Sequence, residues 1–481
     1  MTGQPGDLQV RCDEYELRSV STEQWRDAVE YLLGRDYLFC NLHATTAGEQ
    51  VELRAVFVRN GEFQMISCCP GQTPMPTIVD MVPAAAWDER EAADLADVAF
   101  VDYHPRPLVT HPEHPEDWIT SVRGRDTHQV AVGPVHAGVI ESGHFRFHVV
   151  GERILHLDLQ LFYKHRGLER AAEGLDLERA LLVAQRACAA CAVTNTVAYA
   201  HACEQALGLT PSPDLARTRT VLLELERLYN HLNDIAAVCA GVGFAPGNTR
   251  FAALKERAQR VNQSLVGHRF LFDTTCVGRS DIAVTTAEAN DARRELDEIN
   301  TEFRRSWHEL LFHGSVQNRF DGVGILTLDD ATTLGTVGPV ARASGIADDA
   351  RTASPRLAYR DFQPVMPVGS RGDVHARVEM RGLELPATFA LLDQLLTGGL
   401  NPATCESGSP EQLTGMAAVE GPRGRTFCTI ERAGTTVTRM RLRTSSYANW
   451  PAVAVASVDN LLPEFPLINK SFELCYACCD R

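Results

Sequence analysis

The stretch SPDLARTRTVLLELERLYNHLNDIAAV, residues 212–238, predicts the element around which the larger part of the chain folds. Ser212 is a favoured helix N-cap, and Pro213 suits the first helical position because the N–H that it lacks would have no intrahelical partner there. Two more long helical segments are predicted near residues 251–272 and 287–312. Helices of this length indicate a helix bundle.

Before the bundle, the element types indicate a small α/β unit. The segments WRDAVEYLLG from Trp25 and AAWDEREAADLAD from Ala85 have helical spacing. By contrast, VELRAVFVRN from Val51 and EFQMISCC from Glu62 alternate as strands do. Short helices mixed with strands are typical of a separate small domain.

A stretch rich in proline and histidine, YHPRPLVTHPEHPEDW at 103–118, is typical of a linker, because each proline restricts itself and the residue before it. After it, HFRFHVVGERILHLDLQLFY from His144 alternates like two strands with Gly-Glu at the turn. We therefore predict an α+β fold. It combines a small α/β domain and linker at 1–118 with a mainly helical, bundle-centred domain and peripheral β-structure at 119–481.

Composition and charge exclude several kinds of partner. Over its 481 residues the chain carries a net charge of −16, which argues against nucleic acid or anionic lipid, because both select clustered Lys and Arg. The first residues lack the basic segment followed by an apolar one that a secretory signal has. The apolar stretch IAAVCAGVGFAPG from Ile235 is shorter than the roughly 20 residues of a membrane span. Any membrane association is therefore expected to come through partner subunits.

Fourteen cysteines in a long chain without a disulfide-rich segment indicate reduced thiols. Four of them form two Cys-x-x-Cys pairs, Cys188 with Cys191 and Cys475 with Cys478. Cys479 breaks neither spacing and is predicted to take no part in a site formed by these four cysteines. Cysteines that stand singly among apolar neighbours are predicted to be packing residues, namely Cys12, Cys40, Cys203, Cys239, Cys276, Cys405 and Cys428.

Four thiolates favour zinc, an iron–sulfur cluster, or a soft nickel or copper site, and composition alone does not choose among these. Structural zinc modules gather their ligands within a few dozen residues, because the metal folds a small local unit. Here one pair lies in a predicted helical segment and the other near residue 481, so the whole domain must build the site. This separation favours a catalytic centre over a structural metal.

Eight motifs occur in one order along the chain. They are GPVHAGVIESGHFRF from Gly133, KHRGLER from Lys164, QRACAACAVTNTVAYAHACE from Gln185, TVGPVARASGIADDAR from Thr336, GDVHAR from Gly372, VEGPRG from Val419, RTSSYANWP from Arg443 and CYACCDR from Cys475. With these motifs the chain resembles the large subunit of group 4 membrane-bound [NiFe] hydrogenases of the formate hydrogenlyase type, itself similar to the 49-kDa subunit of respiratory complex I. The N-terminal part, with VPAAAWDEREAADL from Val82, resembles the 30-kDa complex I subunit. The resemblance covers residues 25–481.

This resemblance implies a nickel ion held by four cysteine thiolates and an iron that carries CO and two cyanides. By position, Cys188 and Cys475 match the terminal nickel ligands, and Cys191 and Cys478 match the ligands that bridge the two metals. The implied activity is the heterolytic formation or cleavage of H₂. Its proton acceptor is a nearby base, and either a thiolate terminal on nickel, such as that of Cys475, or a guanidine above the site suits this role.

Further site residues follow from the resemblance. Arg423 in VEGPRG matches the arginine above the metals, and Pro422 and Ser446 match residues near the cyanides. A cation and a hydroxyl donor suit that place, because cyanide is a strong hydrogen-bond acceptor that an apolar pocket must pair. Glu141 in VIESGHF matches the family's proton-relay glutamate.

Partners are also implied by the resemblance. The chain lacks enough other clustered cysteines for its own iron–sulfur cluster, so a small subunit similar to the 20-kDa subunit of complex I is expected to carry a [4Fe–4S] cluster. Membrane subunits, a place at the cytoplasmic face of the cell membrane and, in a formate hydrogenlyase assembly, a formate dehydrogenase are expected as well. His165 and Arg166 of KHRGLER either face such a partner or have a structural role.

The chain departs from the family pattern at three places. Ala189 stands where the family has glycine, Asn195 where it commonly has histidine, and Glu473–Leu474 where Asp-Pro is usual. Alanine crowds a tight backbone approach, and the loss of an imidazole changes the surroundings of the metal. Two other hypotheses therefore stay open: a complex I-like electron-transfer or scaffold subunit that no longer binds nickel, and a structural zinc protein.

Overall fold

The computed structural model describes residues 10–12, 15–47, 50–101, 106–109, 118–135, 141–353, 356–362, 364–408 and 411–481. The fold is α+β, as predicted. Most of the predicted linker at 103–118 lies outside the described residues, and the domain boundary at 118 stays a prediction.

Helices form most of the larger part of the chain. Their bounds are α1 Trp25–Leu33, α2 Ala86–Ala96, α3 Leu168–Ala172, α4 Leu177–Gln185, α5 Ala192–Ala206, α6 Pro213–Gly241, α7 Ala245–Val266, α8 Thr286–Leu311, α9 Gly314–Phe320, α10 Leu328–Thr333, α11 Gly338–Ala343, α12 Tyr359–Phe362, α13 Val374–Leu395, α14 Ser445–Ser457, α15 Phe465–Phe472 and α16 Ala477–Asp480. Helix α6 is buried on nearly all sides, because α5, α7, α13 and α15 pack around it.

The predicted helix starts can be compared with the structure. Ser212 caps α6, as predicted, by accepting a hydrogen bond from the backbone N–H of Leu215 at 3.3 Å. The helix predicted at 251–272 is present but lies further towards the N-terminus, at Ala245–Val266, because a proline occupies its first turn and Gly267 ends it in the left-handed conformation. The segment predicted at 287–312 corresponds to α8.

The strands form several small sheets. Their bounds are β1 Val10–Cys12, β2 Tyr15–Ser19, β3 Leu38–Ala47, β4 Gln50–Arg59, β5 Glu62–Cys68, β6 Met75–Pro76, β7 Phe100–Val101, β8 Thr127–Val132, β9 His144–Val150, β10 Arg153–Gln160, β11 Leu209–Pro211, β12 Arg279–Ser280, β13 Ala403–Ser407, β14 Thr414–Gly421, β15 Gly424–Ala433 and β16 Thr436–Arg443. The largest described sheet has the order β1-β2-β5-β4-β3, with β2 and β5 parallel and the other neighbours antiparallel. The sheet β14-β15-β16 is antiparallel throughout.

The N-terminal sheet is covered on both faces. Because successive strand residues point to opposite faces, Phe57 packs against the core beneath α1 and α2, whereas Val56 packs on the other side. There Val56 and Phe63 contact Met416 and Phe427 of the β14–β15 hairpin. The N-terminal unit therefore packs directly on a hairpin of the larger part.

Within the described ranges, no single helix is long and apolar enough to cross a bilayer. Helices α4 and α5 reach that length and composition only when taken together, and their axes are bent by 118° at the break between them. All of α5 is buried inside the protein.

Candidate metal centre

The first cysteine pair lies at a break between two helices. The sequence indicates one helical segment through RACAAC, but α4 ends at Gln185 and Cys188 is extended, with φ −160° and ψ 131°. A short 3₁₀ turn then leads into α5. The carboxylate of Glu226 on α6 accepts hydrogen bonds from the backbone N–H groups of Val193 and Thr194 at 2.7 and 3.0 Å, and so caps α5 immediately after Cys191. This tertiary cap explains why a new helix begins there.

The second pair lies in the segment that follows α15. Glu473 adopts the left-handed conformation, with φ 49°, and turns the chain so that Cys475 and Cys478 reach the first pair. This segment is packed inside the protein, since Cys478 is 0% exposed and Arg481 is 2% exposed. Cys479 packs in the main hydrophobic core instead of joining the four thiols.

All four cysteines of the two pairs come together. The Sγ atoms of Cys188, Cys191 and Cys478 lie within 4.8 Å of one another, and the Sγ atoms of Cys475 and Cys188 are 3.1 Å apart. The cluster is distinct from the main core, and Cys475 is the most exposed of its four cysteines. Two pairs that are distant in sequence thus form one compact set of thiols.

Hydrogen bonds among these thiols polarise the cluster. Those from Cys191, Cys475 and Cys478 lower the pKa of Cys188 well below its ordinary value, and the same bonds raise the pKa of the three donors. A buried set of thiols can lose all its protons only if cations balance the charge. Four convergent thiols without a disulfide therefore fit a thiolate-bound metal centre.

Asn195, one helical turn beyond Cys191, gives a second sign that the site accepts a further group. Its side chain is 0% exposed, and within the described part of the chain neither its amide nitrogen nor its oxygen has a hydrogen-bond partner. A buried amide normally pairs both atoms with protein, water or a ligand. A bound group or water that pairs this amide is consistent with the structure.

Arg423 reaches the thiols from the tip of a hairpin. Pro422 and Arg423 form the two-residue turn between β14 and β15, and Pro422 is buried there. The Arg423 Nη1 donates to the Sγ of Cys191 at 3.5 Å and to the Oδ1 of Asn230 at 2.9 Å, while its Nε donates to the carbonyl of Glu473. One guanidinium therefore contacts residues of both cysteine segments.

The charge of Arg423 is balanced inside the protein. Its Nη2 lies 3.6 Å from the Oδ1 of Asp234. Burial alone would lower the pKa of Arg423, but the carboxylate of Asp234 and the cysteine thiols raise it well above its ordinary value. The site therefore holds a permanent cation beside the sulfur atoms.

Close backbone packing positions the hairpin tip. Gly424 has φ 119°, and a Cβ there would lie 2.7 Å from the nitrogen of Gly338 and 2.8 Å from the carbonyl carbon of Val337. Since neither neighbour is a flexible side chain, the backbones must separate to admit a methyl group. Only glycine suits this position.

We expect Gly424→Ala to lower the free energy of unfolding by about 3 kcal/mol or more, because left-handed strain and a backbone clash add. Gly434→Ala is the matched control, since Gly434 also has positive φ, 61°, but a methyl group added there would have no neighbour within 4 Å among the described residues. That control should lose only roughly 1 kcal/mol. Urea unfolding of the two variants measures both values, and equal losses would contradict the role of the backbone contact.

Side chains around α14 hold the second cysteine segment. The Ser446 Oγ accepts a hydrogen bond from the backbone N–H of Cys475 at 3.0 Å. The Thr444 Oγ1 donates to the carbonyl of Cys478 at 3.1 Å, and the Trp450 Nε1 to that of Cys475 at 3.5 Å. The predicted contacts of Pro422 and Ser446 with cyanide ligands stay predictions.

Glu141 is half-buried and follows residues 136–140, which lie outside the described part of the chain. Its negative charge acts on Asp480: burial first, and then Glu141, raise the pKa of Asp480 to about 6. Glu141 therefore lies on the side of the second cysteine segment. Its predicted role as a proton relay stays a prediction.

Arg166 of KHRGLER has a structural role that the sequence left open. Its side chain donates to the carbonyls of Arg186 at 3.2 Å, and of Ala187 and Ala477 at 2.9 Å each. The last two residues directly precede Cys188 and Cys478. Arg166 thus ties the two cysteine segments together.

Three polar residues of α6 also build the site and were not predicted. Glu226 caps α5, Asn230 donates to the carbonyl of Ala190 at 2.8 Å, and Asp234 faces Arg423. They recur every four residues, which places them on one face of the helix. This four-residue spacing is the signal in the sequence that points to them, although α6 also carries other buried polar residues such as Glu224 and Arg227.

Two family models match the chain. The one described as respiratory-chain NADH dehydrogenase, 30 Kd subunit, matches residues 18–124, and the one described as respiratory-chain NADH dehydrogenase, 49 Kd subunit, matches residues 242–409. Neither matched segment contains the four clustered cysteines. These matches support the architecture of the chain and leave the roles of the cysteines untested.

Individual relatives match most of the chain. Formate hydrogenlyase subunit 5 of Escherichia coli (strain K12) is 29% identical over 447 residues, and the match covers 84% of this chain and 77% of the relative. A subunit of the NADH-quinone oxidoreductase of Salinispora tropica is 29% identical over 356 residues, with coverage of 70% and 89%. The fold is similar to a chain in the structure of the membrane-bound sulfane sulfur reductase, an archaeal respiratory membrane complex, with a TM-score of 0.68, 24% identity and coverage of 74% and 99%.

These relatives indicate an oxidoreductase subunit of the hydrogenase or complex I type. The sequence similarity extends over both parts of the chain, and the fold similarity covers most of it. This chain therefore joins a part similar to the 30-kDa subunit of complex I to a part similar to its 49-kDa subunit, and it is similar over most of its length to formate hydrogenlyase and hydrogenase subunits.

Proposed function

We propose that this chain is the catalytic large subunit of a membrane-associated [NiFe] hydrogenase in a formate hydrogenlyase-like complex. The observation that carries the proposal is the convergence of four thiols with one guanidinium, which donates to the Sγ of Cys191 at 3.5 Å. A structural zinc module usually gathers its ligands within a few dozen residues, whereas these two cysteine pairs lie far apart in the chain and only the whole fold brings them together.

In this proposal Cys188, Cys191, Cys475 and Cys478 hold the metals. The nickel–iron group would supply the chemistry of H₂ formation and cleavage, with CO and cyanide on the iron. The chain positions the thiolates, since the Cys188 segment is tied through Arg166 and the Cys475 segment through Ser446. Burial of these groups strengthens the charge interactions between them.

Protons and hydrogen bonds are assigned to the residues around the thiols. Arg423 would be a charged donor towards the cyanides, because Asp234 keeps it cationic. Pro422, next to Arg423 in the hairpin turn, and Ser446, which accepts from the backbone N–H of Cys475, would also lie near them. Cys475, the more exposed thiol, takes up or releases the proton. Glu141 passes it on, from its place on the side of the second cysteine segment.

Electrons are exchanged with a partner in this proposal. An iron–sulfur small subunit with a [4Fe–4S] cluster accepts or supplies them, and membrane subunits hold the complex at the cytoplasmic face of the cell membrane. The name of the relative from Escherichia coli, formate hydrogenlyase subunit 5, supports such an assembly. A formate dehydrogenase is the partner that would supply electrons there.

The alternative is a complex I-like electron-transfer or scaffold subunit without nickel. It is favoured by the similarity to the NADH-quinone oxidoreductase of Salinispora tropica, and by Ala189 and Asn195, which depart from the hydrogenase pattern. The four retained thiols and the cation beside them favour the hydrogenase.

Metal analysis of the complex purified from its native host separates these functions. We expect nickel and iron bound to this chain near one each, together with infrared bands of bound CO and cyanide. Stoichiometric zinc without those bands would instead indicate a structural metal site. An intact complex with neither nickel nor bands would refute the hydrogenase and leave the complex I-like subunit.

A further inference from the structure

Arg481, three residues beyond Cys478, is held in the interior by two carboxylates. Its Nε donates to the Oε1 of Glu169 at 2.7 Å, and its Nη2 lies 2.9 Å from both carboxylate oxygens of Glu91. The guanidinium also lies over the ring of Tyr447, 4.5 Å from its centroid. An arginine buried in this way stays in place because its charge is fully paired.

Glu91 belongs to the N-terminal unit, whereas Glu169 belongs to the larger part. Glu91 lies on α2, and its carboxylate also accepts hydrogen bonds from Arg441 on β16 and from the hydroxyl of Tyr447 at 2.9 Å. Glu91 is buried, like the groups that it pairs. The N-terminal unit therefore supplies a buried charge to the segment that carries the second cysteine pair.

The path from Arg481 to the thiols is short. The carbonyl of Asp480 accepts a hydrogen bond from the backbone N–H of Arg166 at 2.9 Å, and Arg166 contacts the residue before Cys188. Cys478 lies in the same short helix as Asp480. A displacement of Arg481 would therefore move Cys478 and loosen the tie between the two cysteine segments.

A second contact between the same two parts of the fold reaches the other side of the thiols. The N-terminal sheet packs on Met416 and Phe427 of the hairpin whose tip carries Arg423. In that interface, the Arg54 Nη1 lies 2.9 Å from the Oε1 of Glu431. The N-terminal unit thus braces the guanidinium as well as the second cysteine pair.

We propose that the N-terminal unit is a positioning element for the thiol site, and that Glu91, by holding Arg481, keeps Cys475 and Cys478 in register with the first pair. The effect of this positioning on metal retention rests on the proposed function, whereas its effect on the geometry of the thiols does not. Glu91 is a positioning residue, because it acts on the site through Arg481.

Thiol alkylation in the metal-free 481-residue chain tests this positioning. Iodoacetamide labelling under native conditions, followed by mass spectrometry, gives a rate for each cysteine. In Glu91→Gln we expect labelling of Cys475 and Cys478 to accelerate on the order of tenfold, because a buried hydrogen bond between charged groups is lost. Cys203, in the core of α5, should keep its rate.

Asp88→Asn is the matched control. Asp88 lies one turn before Glu91 on α2, is equally buried, and pairs with Arg441 at 2.9 Å and Arg443 at 3.1 Å. Its substitution weakens buried ion pairs between the same two parts of the fold, but these pairs do not involve Arg481. We expect Asp88→Asn to lower stability without selective labelling of Cys475 and Cys478.

Arg481→Lys gives a second, independent variant, because lysine keeps the charge but lacks the planar set of nitrogens with which Arg481 reaches Glu169 and Glu91. Selective labelling of Cys475 and Cys478 in both Glu91→Gln and Arg481→Lys would support the proposed positioning role of Glu91. Unchanged labelling in both, or equal acceleration of all cysteines in Asp88→Asn as well, would overturn it. Nickel in the native complex is measured in parallel. A wild type without nickel refutes the proposed function, whereas the labelling rates still test whether Glu91 positions the second cysteine pair.

Discussion

Replacing Cys475 with serine is expected to lower the nickel content of the purified complex by at least about tenfold and to abolish H₂ turnover. A serine hydroxyl stays protonated near neutral pH and is a hard ligand, so it cannot replace a thiolate on nickel. The same result is expected for Cys188→Ser, because the Sγ atoms of the two cysteines are only 3.1 Å apart. Elemental analysis per polypeptide, with a gas assay for H₂, provides both numbers.

Cys479→Ser is the control for these variants. Cys479 lies only four residues from Cys475, so the same substitution can be made in the same segment. Its side chain, however, packs in the main core and not in the thiol cluster. Its variant should keep nickel and activity, although it will cost some stability by placing a hydroxyl in an apolar site. Nickel retained in Cys475→Ser, or lost to the same extent in Cys479→Ser, would refute the proposed ligand set.

Arg423→Lys is expected to reduce H₂ turnover about 100-fold while nickel stays bound. Lysine keeps the positive charge, but one ammonium group cannot contact Cys191, Asn230 and the carbonyl of Glu473 at the positions that the guanidinium reaches. Because none of the four thiols is changed, metal content should remain near that of the wild type. Turnover per bound nickel is therefore the quantity to measure.

Arg425→Lys is the matched control for Arg423→Lys. Arg425 lies two residues later on the same hairpin and pairs with Asp348, not with the thiols. We expect its turnover per nickel to stay within about twofold of the wild type, because a lysine can still pair with a single carboxylate. Equal turnover in both variants would show that the guanidinium has no special role.

Local structure was largely predictable from the residues themselves. Ser212 and Pro213 predicted the start of α6, because capping depends only on neighbouring backbone groups. The alternation of the residues from Val51 and from Glu62 predicted β4 and β5 for a similar reason, since a strand with two different faces has a period of two. Helix α7 starts earlier than the predicted residue 251, because Pro246 occupies its first turn, where a proline is favoured.

The break at Cys188 was not predictable from local pattern. RACAAC has helix-favouring alanines, but tertiary contacts interrupt the helix: Arg166 donates to the carbonyls of Arg186 and Ala187 after α4, and the carboxylate of Glu226 caps the start of α5. The burial of the segment around Arg481 was not predictable for the same reason: its ion pairs involve Glu91 and Glu169, which lie far away in the sequence.

The sequence by itself determined most of the helices and strands, the two cysteine pairs and the similarity of the chain to known families, because these depend mainly on the local order of residues. The tertiary structure decided which side chains meet. It brought the two pairs within one cluster, placed Arg423 against Cys191 and tied Arg481 to the N-terminal unit. Contacts of this kind join residues far apart in the chain, so their geometry depends on how the whole core packs and on where buried charges find partners.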